Sequence, residues 1–223
     1  MYIKLFIEAL LKYLLGILLV GALIFVPAGT IYFINGWVFM GVLFIPMFIA
    51  GIVMMVKNPK LLASRLDAKE KQKGQGIIIK LSGLMFVIGF IVAGLDYRFN
   101  LLRINKIYTY IFAVVLLLSY LMWAEVLREN TYLSRTIRVE ENQKVVDTGL
   151  YGIVRHPMYS ATIILFLSMP IVLGSFASFL VFLVYPILII FRIKNEEKLL
   201  EKELEGYIEY KKRVKYRIIP FIW

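Results

Sequence analysis

Between Tyr13 and Val56 the chain runs 44 residues without one Asp, Glu, Lys or Arg. As a single helix at ~1.5 Å per residue that stretch would reach about 66 Å, twice the ~30 Å hydrocarbon core of a bilayer. It must double back, and the turn material is Pro27-Ala28-Gly29-Thr30 through Asn35-Gly36. Two spans follow, at 8–27 and 36–56. A third is expected at 77–95, with Lys80 near its start and Asp96 at its end, and a fourth at 107–127, closing with Glu125 and Arg128. Pro157 to Phe191 is charge-free again, broken midway by Pro170 and Gly174-Ser175. Each half holds about 16 residues, or ~24 Å of helix, slightly short for a bilayer. That segment reads as a tight helical hairpin. The expected fold is all-α: a polytopic membrane bundle of four spans plus the hairpin, five to six membrane segments, with a C-terminal helix on the cytosolic face.

Composition agrees. Hydrophobic residues make up 61% of the 223 and charged residues 18%, against roughly 45–50% apolar in average globular chains. A soluble domain of this size has too little interior for that much apolar surface. The first thirty residues imitate a secretory leader, but Glu8 and Lys12 interrupt them, no A-x-A site follows and the apolar run continues. They are read as a retained span.

The net charge of +11 is mostly a topology signal. Segment 57–76 carries six Lys or Arg, 128–156 five, and everything from Arg192 onward nine, whereas 28–36 has none and 96–106 has three. By the positive-inside rule both termini and the rich segments are expected in the cytosol, where anionic lipid heads add attraction. Nucleic-acid binding is set aside for that reason. The chain has no cysteine and one histidine, His156, which excludes thiolate chemistry, Fe–S clusters and multi-histidine metal sites, so no metal is expected. Without repeats or an exposed linker, 1–223 reads as one membrane domain, with N-terminal spans over 1–127 and the chemistry in 128–223.

Polar residues are scarce, so their clusters carry information. Gln143 to Tyr159 reads QKVVDTGLYGIVRHPMY, a loop with Gly149 and Gly152 that leads into Arg155-His156-Pro157. Pro157 suits the first turn of a helix, which puts Arg155 and His156 at a positive N-terminus able to hold an anion. The plainer reading makes Arg155 a positive-inside anchor and Tyr151 and Tyr159 interfacial aromatics. Arg192 and Glu196 stand four apart and share a helix face. Arg-before-Glu is the weaker order for helix stability, so a pairing role has little to recommend it, and ionisable groups at a membrane boundary invite a functional one. From Glu197 onward the charges read as a solvated amphipathic helix. Leu199, Leu200, Leu204 and Ile208 read as a packing face, and Gly74-Gln75-Gly76 is no dinucleotide loop, because no strand precedes it.

Gly149-Leu150-Tyr151, Arg155-His156-Pro157-Met158-Tyr159, Arg192 with Glu196-Glu197, and the ending Gly206-Tyr207…Tyr210…Arg213-Val214…Tyr216-Arg217…Pro220 together resemble the isoprenylcysteine carboxyl methyltransferases and their phospholipid-methyltransferase relatives. The resemblance covers about 130 to 223. It implies an integral membrane enzyme that uses S-adenosylmethionine without a Rossmann domain and methylates a lipophilic or prenylated acceptor, or a membrane lipid, entering from the bilayer. By position it assigns the cofactor to Gln143, Lys144, Val145, Val146, Tyr151, His156, Pro157, Met158, Tyr159 and Glu196. The acceptor falls to Arg192, and the chemistry to Arg192, Glu196 and His156. Ala161 departs from the family's usual glycine two places after the motif tyrosine. An isoprenylcysteine-type carboxyl O-methylation is the leading expectation, and phosphatidylethanolamine N-methylation the alternative. A sterol-type NADPH reductase shares an RHPxY-like motif but usually has an acidic residue soon after the tyrosine, where Ser160-Ala161-Thr162 stand here. A small transporter or scaffold would place polar features near mid-membrane, where this chain is bare.

Overall fold

A computed structural model of the chain describes residues 2–66, 73–133, 139 and 142–223. Among them are nine α-helices: α1 (Tyr2–Ala28), α2 (Ile34–Lys57), α3 (Pro59–Leu66), α4 (Lys73–Phe99), α5 (Lys106–Glu129), α6 (Pro157–Val172), α7 (Phe176–Phe182), α8 (Val184–Glu203) and α9 (Tyr207–Arg213). A 3-10 turn, Gly149–Gly152, precedes α6. Five stretches are long and apolar enough to cross a membrane: α1, α2, α4, α5, and α7 with α8 taken together as Phe176–Glu203. The protein is a polytopic helical membrane bundle.

The four N-terminal spans run longer than their apolar cores. The helices continue past the charge-free stretches because nothing stops them: Lys4, Glu8 and Lys12 lie within α1, and Lys80 within α4. Ends come where backbone demand changes. Asn105 caps α5 by accepting from the Ile107 amide at 3.0 Å, and Ser175 caps α7 by accepting from the Ser178 amide at 3.1 Å. The hairpin is lopsided. Its first limb is the 16-residue α6, but the second continues through α8 to Glu203, 11 residues beyond the first charge at Arg192. The basic segment after α2 contains α3, which hydropathy does not announce; the Asn58 side chain caps it by accepting from the Leu61 amide at 3.0 Å. Positions 67–72, 134–138, 140 and 141 of the basic segments lie outside the described residues.

Phe86 of α4 meets Phe166 of α6 edge-on, 4.8 Å between centroids, and Phe182 of α7 at 5.5 Å. The outward faces of α1 and α2 stay covered in exposed Leu, Ile and Phe, as lipid-facing surfaces require. At the bundle end remote from the basic segments, Asp96 turns inward. It is fully buried, accepting from the Leu102 amide at 2.7 Å and from the Ser175 hydroxyl, and so joins α4 to the turn before α7. A buried carboxylate at a membrane boundary persists only when its lone pairs are met this way.

α1 and α4 come close at Gly94. A Cβ there would lie 2.5 Å from the Ile24 carbonyl oxygen and 3.0 Å from the Ala28 amide nitrogen, the small-residue contact that lets membrane helices touch backbone to backbone. Gly94→Val should therefore lower the melting temperature of the solubilised protein, by the ~1–3 kcal/mol of overpacking. Gly83→Val, where the added Cβ meets nothing within 4 Å, should leave it unchanged.

Candidate functional site

A cleft opens at the basic end, among the end of α5, the 143–151 loop, the start of α6, the charged half of α8, and α9. The loop is held by its own chemistry. Glu129, the last residue of α5, accepts from the Leu150 amide at 3.0 Å. Gly149 has φ +52°, and a Cβ there would overlap the Glu129 carboxylate, so only glycine fits. This fixes the 3-10 turn and buries Tyr151, whose carbonyl accepts from the Tyr210 hydroxyl at 2.8 Å. Burial pushes the Tyr151 phenol up from its usual value, against an opposing hydrogen bond with Asn130.

Pro157 begins α6, with His156 as its N-cap. The Arg155 and His156 amides are not open to a ligand, because they donate to the Tyr216 and Arg217 carbonyls at 2.9 and 2.8 Å. The anion-holding role read for those amides therefore gives way to a structural one: the C-terminal segment lies alongside them like a strap. Arg155 is likewise committed. It is buried, donating to Glu197 at 2.8 Å and to the Val214 and Lys215 carbonyls at 2.7 and 2.8 Å.

Glu197 corrects the solvated-helix reading. It is 3% exposed and sits among Arg155, His156 (Nε2 to Oε1, 3.3 Å) and Arg217 (Nε to Oε2, 2.9 Å). Its neighbour Glu196, ~100° around α8, faces the cleft. The Tyr159 hydroxyl donates to Glu196 Oε2 at 2.5 Å and accepts from Arg192 Nε at 2.9 Å. Arg192, Tyr159 and Glu196 thus form one hydrogen-bonded chain along the cleft wall. Gln75, fully buried at the start of α4, lies behind Arg192 with its amide 3.5 Å from the guanidinium and from the Arg192 carbonyl.

The cleft brings together Gln143, Lys144, Val145, Val146, Tyr151, His156, Met158, Tyr159, Arg192 and Glu196. Pro157 is not on its wall; buried at the first position of α6, it sets the helix start. The lining also includes Asn130, Tyr132, Leu133, Arg155, Tyr207 and Tyr210, and Leu200 and Leu204 of the packing face, which pack with Tyr207, Tyr210 and Val214 as expected, whereas Ile208 of that face is exposed. Tyr207 and Tyr210 were visible only as a spaced pair in the C-terminal motif. Tyr207 is 3% exposed, and among the described residues its hydroxyl is buried without a hydrogen-bond partner. Burial, then the charges of Glu197 and Glu196, push that phenol up, so it stays protonated through neutral and mildly alkaline pH.

Glu197→Gln keeps the shape but leaves Arg155 buried without its counter-charge, a change that costs about 3–5 kcal/mol in comparable pairs. The variant should melt earlier and become sensitive to trypsin within 211–217. Glu196→Gln should keep the strap protected; equal protection in both variants would refute the Glu197 anchor.

The phospholipid methyltransferase family model matches residues 106–205, from the first residue of α5 to two residues past α8. The mouse Delta(14)-sterol reductase TM7SF2 is 33% identical over 91 residues, 40% of this chain and 22% of the reductase, so the chain spans less than a quarter of that relative. Helices α5, α6, α7 and α8 all lie inside the matched region, so the likeness to phospholipid methyltransferases covers four of the elements around the cleft and the bundle core.

Proposed function

We propose that the protein transfers a methyl group from S-adenosylmethionine to a lipophilic acceptor at the cytosolic membrane face, with residues 128–223 holding the donor. The observation that carries this reading is the Tyr207 hydroxyl, buried, unpaired and on the cleft wall with Glu196. A buried hydroxyl without a partner costs about 1–3 kcal/mol, and a polar ligand in the cleft would remove that cost. The lining of the cleft suits the donor group by group. Glu196 accepts from an ammonium or from ribose hydroxyls, Tyr207 donates to an acceptor atom, and Val145, Val146, Leu200 and Leu204 offer an apolar face to a base.

When bound, the donor supplies an electrophilic methyl, whose bond to sulfur breaks as the acceptor's bond to carbon forms. The residues need only align, exclude water and avoid overstabilising the positive sulfur. Arg192, through its planar fork, orients the acceptor, and Tyr159 couples that position to Glu196. A carboxylate acceptor, as in isoprenylcysteine-type O-methylation, is already nucleophilic and requires orientation alone. An amine, as in phosphatidylethanolamine, must first lose a proton, for which Glu196 or His156 is the available base. The likeness to a sterol reductase supports a second reading, NADPH in the same cleft. Against it, a dinucleotide's phosphates call for several cations, and of the cleft's Lys144, Arg155 and Arg192, Arg155 is spent on Glu197 and the strap.

Calorimetry on the purified protein decides between them. S-adenosylmethionine should bind and NADPH should not. Tyr207→Phe should weaken donor binding roughly three- to tenfold, as for one neutral hydrogen bond, without lowering the melting temperature. Glu196→Gln should weaken it about ten- to a hundredfold, as for a bond to a charged group. Arg192→Lys should cut turnover with donor affinity nearly intact. Binding of NADPH alone would hand the site to reductase chemistry.

On this reading the basic end faces the cytosol. In this cysteine-free chain, Lys60→Cys and Lys212→Cys should resist an impermeant thiol reagent added to intact cells, and Tyr32→Cys should label. The reverse pattern would invert the topology.

A further inference from the structure

Two apolar surfaces at the basic end lie outside the cleft. In the first, α1 and α2 touch from Phe25 against Trp37, 4.7 Å between centroids, to Tyr13 against Phe48 at 5.3 Å. Beyond Tyr13 they part around a second cavity, whose wall of Phe6, Leu10, Phe48 and Ile52 is the plain hydrocarbon of a lipid-facing groove. The second surface comes with charges. It is the end of the strap that lies along the start of α6.

Past Arg217 the strap reaches the level of the membrane helices. The Ile218 carbonyl accepts from the hydroxyl of Ser160, in the first turn of α6, at 2.6 Å. Ile218 is buried in the same apolar cluster as Tyr159 and Leu165, with Trp223 packed against it. The chain then closes on itself. The Ile218 and Ile219 amides both donate to the Trp223 carbonyl at 3.0 Å, and the Arg217 guanidinium lies over the Trp223 ring, 5.0 Å from its centroid. Phe221 comes back beside Tyr216, 5.4 Å between centroids. The loop so formed turns its other apolar groups outward: Phe221 is 85% exposed, Ile222 77%, and Ile219 is exposed beside them. Phe221 also has φ +66°, a left-handed angle that bulky residues rarely take. A backbone strained to hold a phenyl ring in the open marks a contact with an apolar medium.

At the first turn of a membrane helix, apolar side chains meet acyl carbons and cations meet phosphates. Of the strap's cations, Lys211 is paired with Glu201, Arg213 with Asp147 and Arg217 with Glu197. Lys212 and Lys215 are exposed, and among the described residues no ion pair engages either. No acidic residue follows Glu209. An apolar tip preceded by two uncommitted cations, with no acid after them, complements an acidic lipid surface. We propose that residues 219–222 insert into the cytosolic leaflet while Lys212 and Lys215 engage its acidic headgroups, so that acidic lipid holds the strap in place. The contact stands whatever the cleft binds. It bears on the cleft all the same, because the strap's carbonyls hold the Arg155 and His156 amides, and α9 before it supplies Tyr207 and Tyr210 to the cleft wall.

The test uses the full-length protein in phosphatidylcholine nanodiscs, with or without phosphatidylglycerol. Each disc carries traces of both lipids bearing a diazirine near the carboxyl end of one acyl chain. Mass spectrometry should map crosslinks to 219–222, with the acidic probe favoured over the neutral one by about fivefold or more, the scale of one cation at an acidic surface. Lys212→Gln combined with Lys215→Gln should bring the two probes to parity. Phe221→Gly relieves the left-handed angle, so it should weaken crosslinking by both probes without lowering the melting temperature. Hydrogen exchange of the Arg155 and His156 amides should slow several-fold in the acidic discs for the wild type, and not for the double lysine variant. Absence of crosslinks at 219–222, or wild-type crosslinking indifferent to headgroup charge, would overturn the proposal. So would amide exchange equal in the two kinds of disc, or crosslinks from 219–222 to a second copy in place of lipid, because the tip would then be a subunit contact.

Discussion

One carboxylate holds the working end of this molecule together. Glu197 gathers Arg155 and His156 from the start of α6 and Arg217 from the C-terminal segment, so three stretches remote in sequence meet at one buried charge. Such an arrangement is costly to assemble, because each ion must leave water. It is stable here because every partner is satisfied more than once: Arg155 reaches two strap carbonyls besides Glu197, and the strap's own carbonyls take the Arg155 and His156 amides. Arg155 and His156 of this knot also line the cleft, whereas Glu197 does not. Remove the charge and the wall formed by α9 loses its anchor, while Arg192, Tyr159 and Glu196 stay linked on the other side.

The two ends of the bundle are organised by different physics. At the remote end, Asp96 with Ser175, and Asn35 with Thr109 at 3.0 Å, link helices by hydrogen bonds inside a low-dielectric setting, where a satisfied polar pair is strong and an unsatisfied one expensive. At the basic end, charges stand at the water boundary, helices separate, and both cavities appear. A fold stapled at one end and open at the other supports a site without sacrificing the packing of the core.

The spans were readable because absence of charge over 20 or more residues has few explanations in water. Their ends were not, since a helix does not stop where hydropathy stops: α8 runs on from Phe191 to Glu203 through alternating charges. α3 left only a weak trace, Asn58-Pro59, the capping residue and first-turn proline that precede a helix start. The pair Glu196-Glu197 shows the limit most sharply. Side by side in sequence, one faces the cleft and the other a buried cluster of cations, and only the helix phase relative to α6 decides which. Gln75 was hidden for the same reason, as its partner Arg192 is 117 residues away. Tyr207 was legible as part of a C-terminal motif, but the missing partner of its hydroxyl is a property of three-dimensional packing.

The parting of α1 and α2 beyond Tyr13 leaves an apolar recess lined by Phe6, Leu10, Phe48 and Ile52. Such a recess beside a bilayer is wetted by whatever hydrocarbon is at hand. Once the protein is extracted, the hydrocarbon at hand is surfactant, so a lipid that enters the recess must displace a surfactant tail. Its apparent affinity there is then an exchange constant, one that weakens as micelle concentration and surfactant chain length rise. Comparisons among lipids hold only at one fixed surfactant, and the native ranking belongs to the bilayer.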